Sequence, residues 1–214
     1  GEHLPAAQGQ LAIRGHAIEA RLYAEDPDRG FLPSIGRIAH WRMPETSARV
    51  RIDTGFSAGD EVSPYYDPML AKLVVWGEDR EHARATLLAA LAGCEIAGVT
   101  TNSAFLERTV ANEAFATGRL DTGLIEKNHA ALFPRPGRTP PLALVAAAVD
   151  ELATLRATTQ PPARVAADPH SPWLDTDAWW PLSARHAAVF AYQDGDERGE
   201  VRLSGAFEAL SAVI

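Results

Sequence analysis

The sequence predicts an α+β protein in which strands come first and helices follow, because two periodicities occupy different parts of the chain. Residues 15–24 alternate between the two faces of an extended segment, which is the period of a strand. Residues 79–94 place apolar side chains three and four positions apart, which is the period of a helix. We therefore expect antiparallel strands followed by helices, rather than alternating βαβ units.

Three more strands are predicted before the helices begin. They cover residues 37–43, 48–56 and 70–77, where β-branched and aromatic side chains are frequent. Residues 25–36 are dense in Asp, Pro and Gly, and residues 57–62 form a short polar stretch. Both segments are therefore predicted to be loops or turns.

Three helices are predicted after the strands. Asp79 is a suitable N-cap for the helix over residues 79–94. A second helix is expected to begin after Thr101 or Asn102, and a third within residues 121–133.

A proline-rich segment predicts a boundary between two domains. Residues 134–141 contain four prolines in eight positions, which is typical of a linker. Residues 142–157 are rich in Ala and Leu and predict a helix, and strand candidates follow at 186–192 and 199–205. Two strands and a helix bury little sheet surface, so we expect the unit over 142–214 to be truncated.

Composition argues against several classes of partner. The net charge is −8, and the 28 acidic residues are spread along the chain, so no basic face is expected to attract nucleic acid. No apolar run approaches the ~18 residues of a membrane helix, and the N-terminus has no signal-peptide pattern. Cys94 is the single cysteine, which excludes an internal disulfide and favours a cytoplasmic location.

Motifs for nucleotide or metal binding are missing from the sequence. No GxGxxG, GxxxxGK[ST], HExxH or EF-hand pattern occurs, so we expect no metal site built from this chain alone. Arg51 in "VRIDTG" is, from the residues alone, a solvated strand arginine paired with Asp53.

The stretch "YYDPMLAKL" is the other candidate region. Lys72 is one of only two lysines among 20 basic residues, although a strand lysine more often lies along apolar surface than acts in a site. Tyr65, Tyr66 and Asp67 more often shape a turn, in which Pro68 fixes the backbone, than contact a substrate.

Five motifs, taken in order, resemble one family. They are "GHAIEARLYAEDPDRGFLPSIGRI", "VRIDTGF", "YYDPMLAKL", "GEDREHA" and "GVTTNSAFL". Their order and spacing resemble the C-terminal part of biotin carboxylase, the ATP-grasp component of biotin-dependent carboxylases, over residues 1–133. One departure lies in "PETSARVR", which has no glycine where the family usually has glycines before the VR pair.

A second resemblance concerns the region after the linker. Residues 168–185, "DPHSPWLDTDAWWPLSAR", are similar to the segment that follows biotin carboxylase in the α subunit of 3-methylcrotonyl-CoA carboxylase, an enzyme of leucine degradation. This resemblance implies that residues 142–214 hold the helix and first strands of a carboxyltransferase-binding domain. In that family the domain is a barrel wrapped on a long helix.

The resemblance implies a ligase reaction in which bicarbonate, ATP and biotin give carboxybiotin, with magnesium as a cofactor. Arg51 occupies the position of the family arginine that contacts both biotin and bicarbonate. Tyr65, Tyr66, Asp67 and Lys72 are then interpreted as a scaffold that supports the strand of Arg51. Implied partners are the carboxyltransferase β subunit, the biotin carboxyl carrier domain and a second copy of the biotin carboxylase region.

The family's ATP-binding elements precede the first motif, and its biotin-bearing motif would follow residue 214. We therefore expect this polypeptide alone to bind none of these cofactors and to be inactive. An alternative is a non-enzymatic assembly or interaction module that uses the same fold. Acetyl-, propionyl- and geranyl-CoA carboxylase also stay open, because the acyl-CoA is bound by the other subunit, whereas the region after the linker argues against pyruvate carboxylase.

Overall fold

The structure is a computed structural model that describes residues 1–2, 4–134, 137–158, 187–194, 197–205 and 209–214. Its internal contacts divide the chain into two units, Gly1–Arg135 and Pro136–Ile214. The predicted motif over residues 168–185 lies outside the described residues.

The first unit contains strands followed by helices, as the sequence predicts. Its strands are β1 (His16–Tyr23), β2 (Glu25–Asp26), β3 (Leu32–Pro33), β4 (Gly36–Arg37), β5 (His40–Arg42), β6 (Val50–Thr54), β7 (Glu61–Val62), β8 (Met69–Gly77) and β9 (Glu95–Ala97). Its helices are α1 (Arg80–Ala92), α2 (Ser103–Ala111), α3 (Glu113–Ala116), α4 (Leu124–Lys127) and α5 (His129–Leu132). The expected α+β class is confirmed.

The central sheet has three antiparallel strands in the order β1-β8-β6. Alternate side chains on each strand face the same side, so the register forms rows across the sheet. One such row joins Ala20, Leu73 and Ile52, and the first two of these are buried. This inner side packs against α1, which contributes Leu87 and Leu91 to the same apolar core.

Helix α1 begins directly after β8 because two residues prepare the turn. Gly77 lies so close to the helix that a Cβ there would come within 2.3 Å of the Ala83 nitrogen. Asp79 then caps the helix, since its Oδ1 accepts a hydrogen bond from the His82 N–H at 2.8 Å. The predicted N-cap is therefore confirmed.

The Asp79 cap predicts a loss of stability in acid. Its hydrogen bond from the His82 backbone lowers the pKa of Asp79 in the folded chain. A carboxyl whose folded pKa is depressed stabilises the fold above its unfolded pKa of about 3.9 and loses this contribution as pH falls through the folded pKa. We expect the stability difference between the native chain and Asp79→Ala to be larger at pH 6 than at pH 2.

Urea unfolding of both chains at the two pH values measures this difference. Asp121→Ala is a second variant of the same kind, because the pKa of Asp121 is also lowered, first by Lys127 and then by the Gly123 N–H. Its stability difference should change with pH in the same direction. A difference for Asp79→Ala that is independent of pH would contradict the prediction.

Three predicted elements are interrupted in the structure. The helix expected within residues 121–133 is divided into α4 and α5. The strand expected over 37–43 is divided into β4 and β5, and Ile38 between them is fully buried in a second apolar cluster. The helix expected after Thr101 ends at Ala111 because Asn112 adopts an extended backbone and accepts a hydrogen bond from the Ala114 N–H. Asparagine offers the backbone this alternative to a continuous helix.

The second unit combines one helix with a small sheet. Helix α6 spans Pro141–Thr158, and strands β10 (Ala188–Asp194), β11 (Glu197–Ser204) and β12 (Ser211–Val213) form an antiparallel sheet in that order. Buried side chains from the helix and the sheet form one apolar cluster, namely Ala148, Leu152, Phe190, Val201 and Leu203. Within the described ranges, no helix has the length and apolar character needed to cross a membrane.

Candidate functional site

The side of the central sheet that faces away from α1 carries charged side chains, and we call it the open face. The register places two rows of residues there. One row joins Arg21, Lys72 and Asp53, and the next joins Glu19, Val74 and Arg51. Strand alternation therefore places Arg51, Asp53 and Lys72 on the same surface although 21 positions separate the first from the last.

Asp53 is bonded to both predicted basic residues of this surface. The Arg51 Nε donates to Asp53 Oδ1 at 2.9 Å, and the Lys72 Nζ lies 3.2 Å from Asp53 Oδ2. The side chain of Arg51 is 75% exposed, whereas that of Lys72 is 35% exposed. The carboxylate thus bridges two strands and uses one oxygen for each cation.

These contacts shift the pKa values of both partners. The hydrogen bond from Arg51 and the contact with Lys72 lower the pKa of Asp53, so its carboxyl stays ionised near neutral pH. The same carboxylate raises the pKa of Arg51, which stays a cation in any case. Among the described residues, none accepts a hydrogen bond from either Arg51 Nη group. The Nη groups are therefore free to hold a planar anion.

The loop before β6 is ordered by a serine rather than by glycine. The Ser47 Oγ accepts hydrogen bonds from the Arg49 N–H at 3.1 Å and the Val50 N–H at 3.2 Å. The Ser47 N–H also donates to the Val50 carbonyl at 2.8 Å. A serine turn of this kind fixes the entry to the strand without a positive φ angle, which accounts for the absence of glycine in "PETSARVR".

The predicted scaffold residues are divided between two places. Tyr65 and Tyr66 are highly exposed, at 93% and 85%, in the turn before β8. Asp67 stabilises the start of β8, because its Oδ1 accepts a hydrogen bond from the Met69 N–H at 2.9 Å. The structure thus places Lys72 near Arg51, with Asp53 between them, but places Tyr65, Tyr66 and Asp67 before the start of β8.

A groove of about 420 Å³ lies beside this turn. Its lining residues are Phe56, Glu61, Val62, Ser63, Tyr66, Asp67 and Met69. Arg51 does not line this groove, and three quarters of its side chain is exposed to solvent.

Asn102, which the sequence indicates only as a possible helix start, has a larger role in the structure. Asn102 is 94% buried, with 6% of its surface exposed, and its side chain spans the free edge of β1. Its Oδ1 accepts from the Tyr23 N–H at 2.9 Å, and its Nδ2 donates to the Arg21 carbonyl at 3.2 Å. The Asn102 N–H also donates to the Tyr23 carbonyl at 3.1 Å. The Asn102 side chain therefore supplies hydrogen-bond partners to backbone groups at the edge of β1, as a neighbouring strand would.

Metal and thiol chemistry have little support in the described part of the chain. No group of three or more His, Cys, Asp or Glu side chains there is arranged to hold a metal ion. Burial raises the pKa of Cys94 to about 11, so its thiol is protonated near neutral pH. The open face with Arg51 is therefore the strongest candidate site.

Comparison with known proteins gives matches to biotin-dependent carboxylases. The α subunit of mitochondrial methylcrotonoyl-CoA carboxylase from Dictyostelium discoideum is 44% identical over 170 residues, covering 79% of this chain and 24% of the relative. The corresponding rice protein is 49% identical over 127 residues, covering 59% of this chain and 17% of the relative. The chain thus spans less than a third of either relative.

A solved structure supports the same assignment. The biotin carboxylase domain of a thermophilic 2-oxoglutarate carboxylase, bound to bicarbonate, is 36% identical with a TM-score of 0.59. The match covers 62% of this chain and 30% of that one. The family described as "Biotin carboxylase C-terminal domain" matches residues 19–127, which is more than half of the 214 residues. The chain therefore belongs to the biotin carboxylase C-terminal domain family.

Proposed function

We propose that this chain is part of the α subunit of a biotin-dependent acyl-CoA carboxylase and supplies the arginine that faces biotin and bicarbonate. The observation that carries the proposal is the state of Arg51 on the open face. Its Nε is held by Asp53, and its two Nη groups are directed to no acceptor among the described residues. The family membership and the bicarbonate complex of a related domain support an anion as the ligand.

The chemistry of guanidinium fits this role. Arginine stays charged at any physiological pH, and its planar fork can form two parallel hydrogen bonds to a planar anion. Bicarbonate and the ureido group of biotin are both planar and present oxygen acceptors. Biotin, when bound, supplies the nitrogen that accepts the carboxyl group, and Arg51 would stabilise the negative charge that develops on the neighbouring oxygen.

The second unit is proposed to belong to the domain that binds the carboxyltransferase β subunit. The match to the Dictyostelium protein covers 79% of this chain, whereas the first unit accounts for 135 of the 214 residues. The similarity therefore continues into the second unit. One helix packed on an antiparallel sheet is consistent with a barrel that surrounds a helix.

Replacing Arg51 with alanine tests the proposed role directly. In the α subunit that carries this chain, Arg51→Ala should lower biotin-dependent turnover by about 10²–10³-fold, the range for losing one donor to a developing oxyanion. Bicarbonate-dependent ATP cleavage, measured with and without free biotin, gives the rate.

Arg49→Ala is the matched control for this variant. Arg49 lies two residues before Arg51 on the same side of the chain and pairs with Glu78 at 3.3 Å. We expect this control to keep turnover within a few-fold of the native subunit. Native turnover in Arg51→Ala would remove the proposed function.

A further inference from the structure

We propose that the groove beside the Tyr65–Tyr66 turn binds a basic side chain, flanked by apolar residues, from a segment of the same α subunit that lies outside these 214 residues. We call this groove of about 420 Å³, whose lining includes Phe56, Glu61 and Asp67, the turn groove. The inference rests on the proposed function only in taking the chain as part of an α subunit, and it makes no use of Arg51.

The turn groove combines apolar lining with two exposed tyrosines. Val62 is buried and Phe56 is half-buried, whereas Met69 keeps 38% of its surface exposed. Tyr66 lines the groove and Tyr65 precedes it, and both are almost fully exposed. Exposed apolar side chains that lie together mark interaction surfaces, and tyrosine is enriched there because it joins an apolar ring to a polar hydroxyl.

Two carboxylates give the turn groove a negative charge. In the part of the chain that the structure describes, neither Glu61 nor Asp67 forms an ion pair. Arg37 lies opposite Glu61 in the register, but its Nε donates to the Gly59 carbonyl at 3.1 Å. Burial raises the pKa of Glu25, and the negative charge of Asp67 raises it further. A cationic side chain is therefore the complement that this groove selects, since it supplies charge-assisted hydrogen bonds to both carboxylates.

The turn that carries the tyrosines is ordered by contacts within the chain. The Tyr65 N–H donates to Ser63 Oγ at 3.0 Å. The Pro68 carbonyl accepts a hydrogen bond from the Ala24 N–H at 2.9 Å, which ties the turn to the residue after β1. A surface that is already ordered loses little conformational freedom when a partner binds.

The lengths of related proteins favour an occupant from the same subunit. The matched part of this chain covers 30% of the biotin carboxylase domain of the 2-oxoglutarate carboxylase and 24% of the Dictyostelium α subunit. Most of either polypeptide therefore has no counterpart in these 214 residues, and that remainder needs surfaces to pack against. A segment of the same polypeptide is present at high effective concentration, so it can fill a groove for which its intrinsic affinity is modest.

Photocrosslinking in the α subunit that carries this chain tests the proposal. Tyr66→p-benzoylphenylalanine places a reactive group at the turn groove, and mass spectrometry identifies the peptide joined to it after illumination. We expect a product with the mass of a single α subunit, joined to a peptide from outside these 214 residues that has Arg or Lys within a few positions. Crosslinking to another subunit, to a second copy or within these 214 residues would overturn the proposal, as would the absence of any product.

Charge reversal at the groove tests the basic side chain separately from the apolar contacts. Glu61→Lys, added to the crosslinking variant, should lower the yield of the product several-fold, because it sets a like charge beside the bound cation. Glu107→Lys is the matched control, since Glu107 is exposed on α2 and has no ion pair among the described residues. Equal yields from the two variants would contradict a basic occupant.

Unfolding of the 214-residue chain verifies that Glu61 acts through a partner. Because Glu61 is exposed and unpaired within the described residues, Glu61→Lys should leave the thermal unfolding midpoint of this chain unchanged. A lower midpoint would show that Glu61 acts within the chain, against the proposal. The crosslink does not depend on turnover, so its failure beside an impaired Arg51→Ala subunit would remove this inference and leave the proposed function standing.

Discussion

Replacement of Leu73 with alanine is expected to lower the free energy of unfolding by about 2–5 kcal/mol, the range for deleting a fully buried leucine side chain. Leu73 has no exposed surface and lies in the middle strand of the central sheet. Its neighbours in the row are Ala20 and Ile52, and α1 covers the same side. A cavity at this position would be lined by packed side chains from both neighbouring strands and from α1. These side chains have little room to move into the cavity, so most of the lost stability would not be recovered.

Urea unfolding of the 214-residue chain, followed by circular dichroism, measures this loss. Leu120→Ala is the matched control, since Leu120 is 51% exposed and the same atoms are removed. Changes at such surface positions are usually within about 0.5 kcal/mol. Equal losses for the two variants would show that the central sheet is not packed as described.

The second large effect is expected at Asn102. Asn102→Ala removes the partners of the Tyr23 N–H and the Arg21 carbonyl, which lie at 2.9 and 3.2 Å from the amide. An unsatisfied buried backbone group costs about 1–3 kcal/mol. Because these two hydrogen bonds are only part-buried, we expect a total loss in the lower part of the combined range, about 2–4 kcal/mol. The end of β1 should also exchange its amide hydrogens faster in this variant.

Asn128→Ala provides the comparison for this prediction. The Asn128 side chain is also hydrogen-bonded, but it donates to the Leu124 carbonyl of its own helical turn and accepts from Asn112. The contact with Asn112 spans 16 positions between helix ends, whereas the Asn102 contacts span 79 and 81 positions and reach the edge of β1. A loss at Asn128 as large as that at Asn102 would contradict the edge-satisfying role of Asn102.

Much of the fold could be predicted from periodicity, because the strands and the first helix bury one side each. The alternation over residues 15–24 corresponds to β1, and the helical spacing after Asp79 corresponds to α1. Short strands such as β7 and β9 escaped prediction because two or three residues show no period. They are formed by pairing with β4 and β5, which sequence spacing does not reveal.

The sequence indicates the residues of the candidate site better than it indicates the contacts between them. The motif "VRIDTG" and the rarity of lysine point to Arg51 and Lys72, and the sequence indicates Asp53 only as a surface partner of Arg51. The bridge between them depends on the register of β6 with β8, where Asp53 lies opposite Lys72. Strand register follows from the whole buried face rather than from any local pattern, so the bridge could be found only in the structure.

The five-residue length of β6 has a consequence for engineering and for sequence drift. A deletion or insertion of a single residue inside this strand would shift the alternation, turning the guanidinium toward the apolar core and bringing a hydrophobic side chain to solvent. Changes of length should instead be accommodated in the segments on either side, over residues 43–49 and 55–60. Libraries built on this scaffold should keep the strand at its present size and retain the Ser47 turn that fixes its entry.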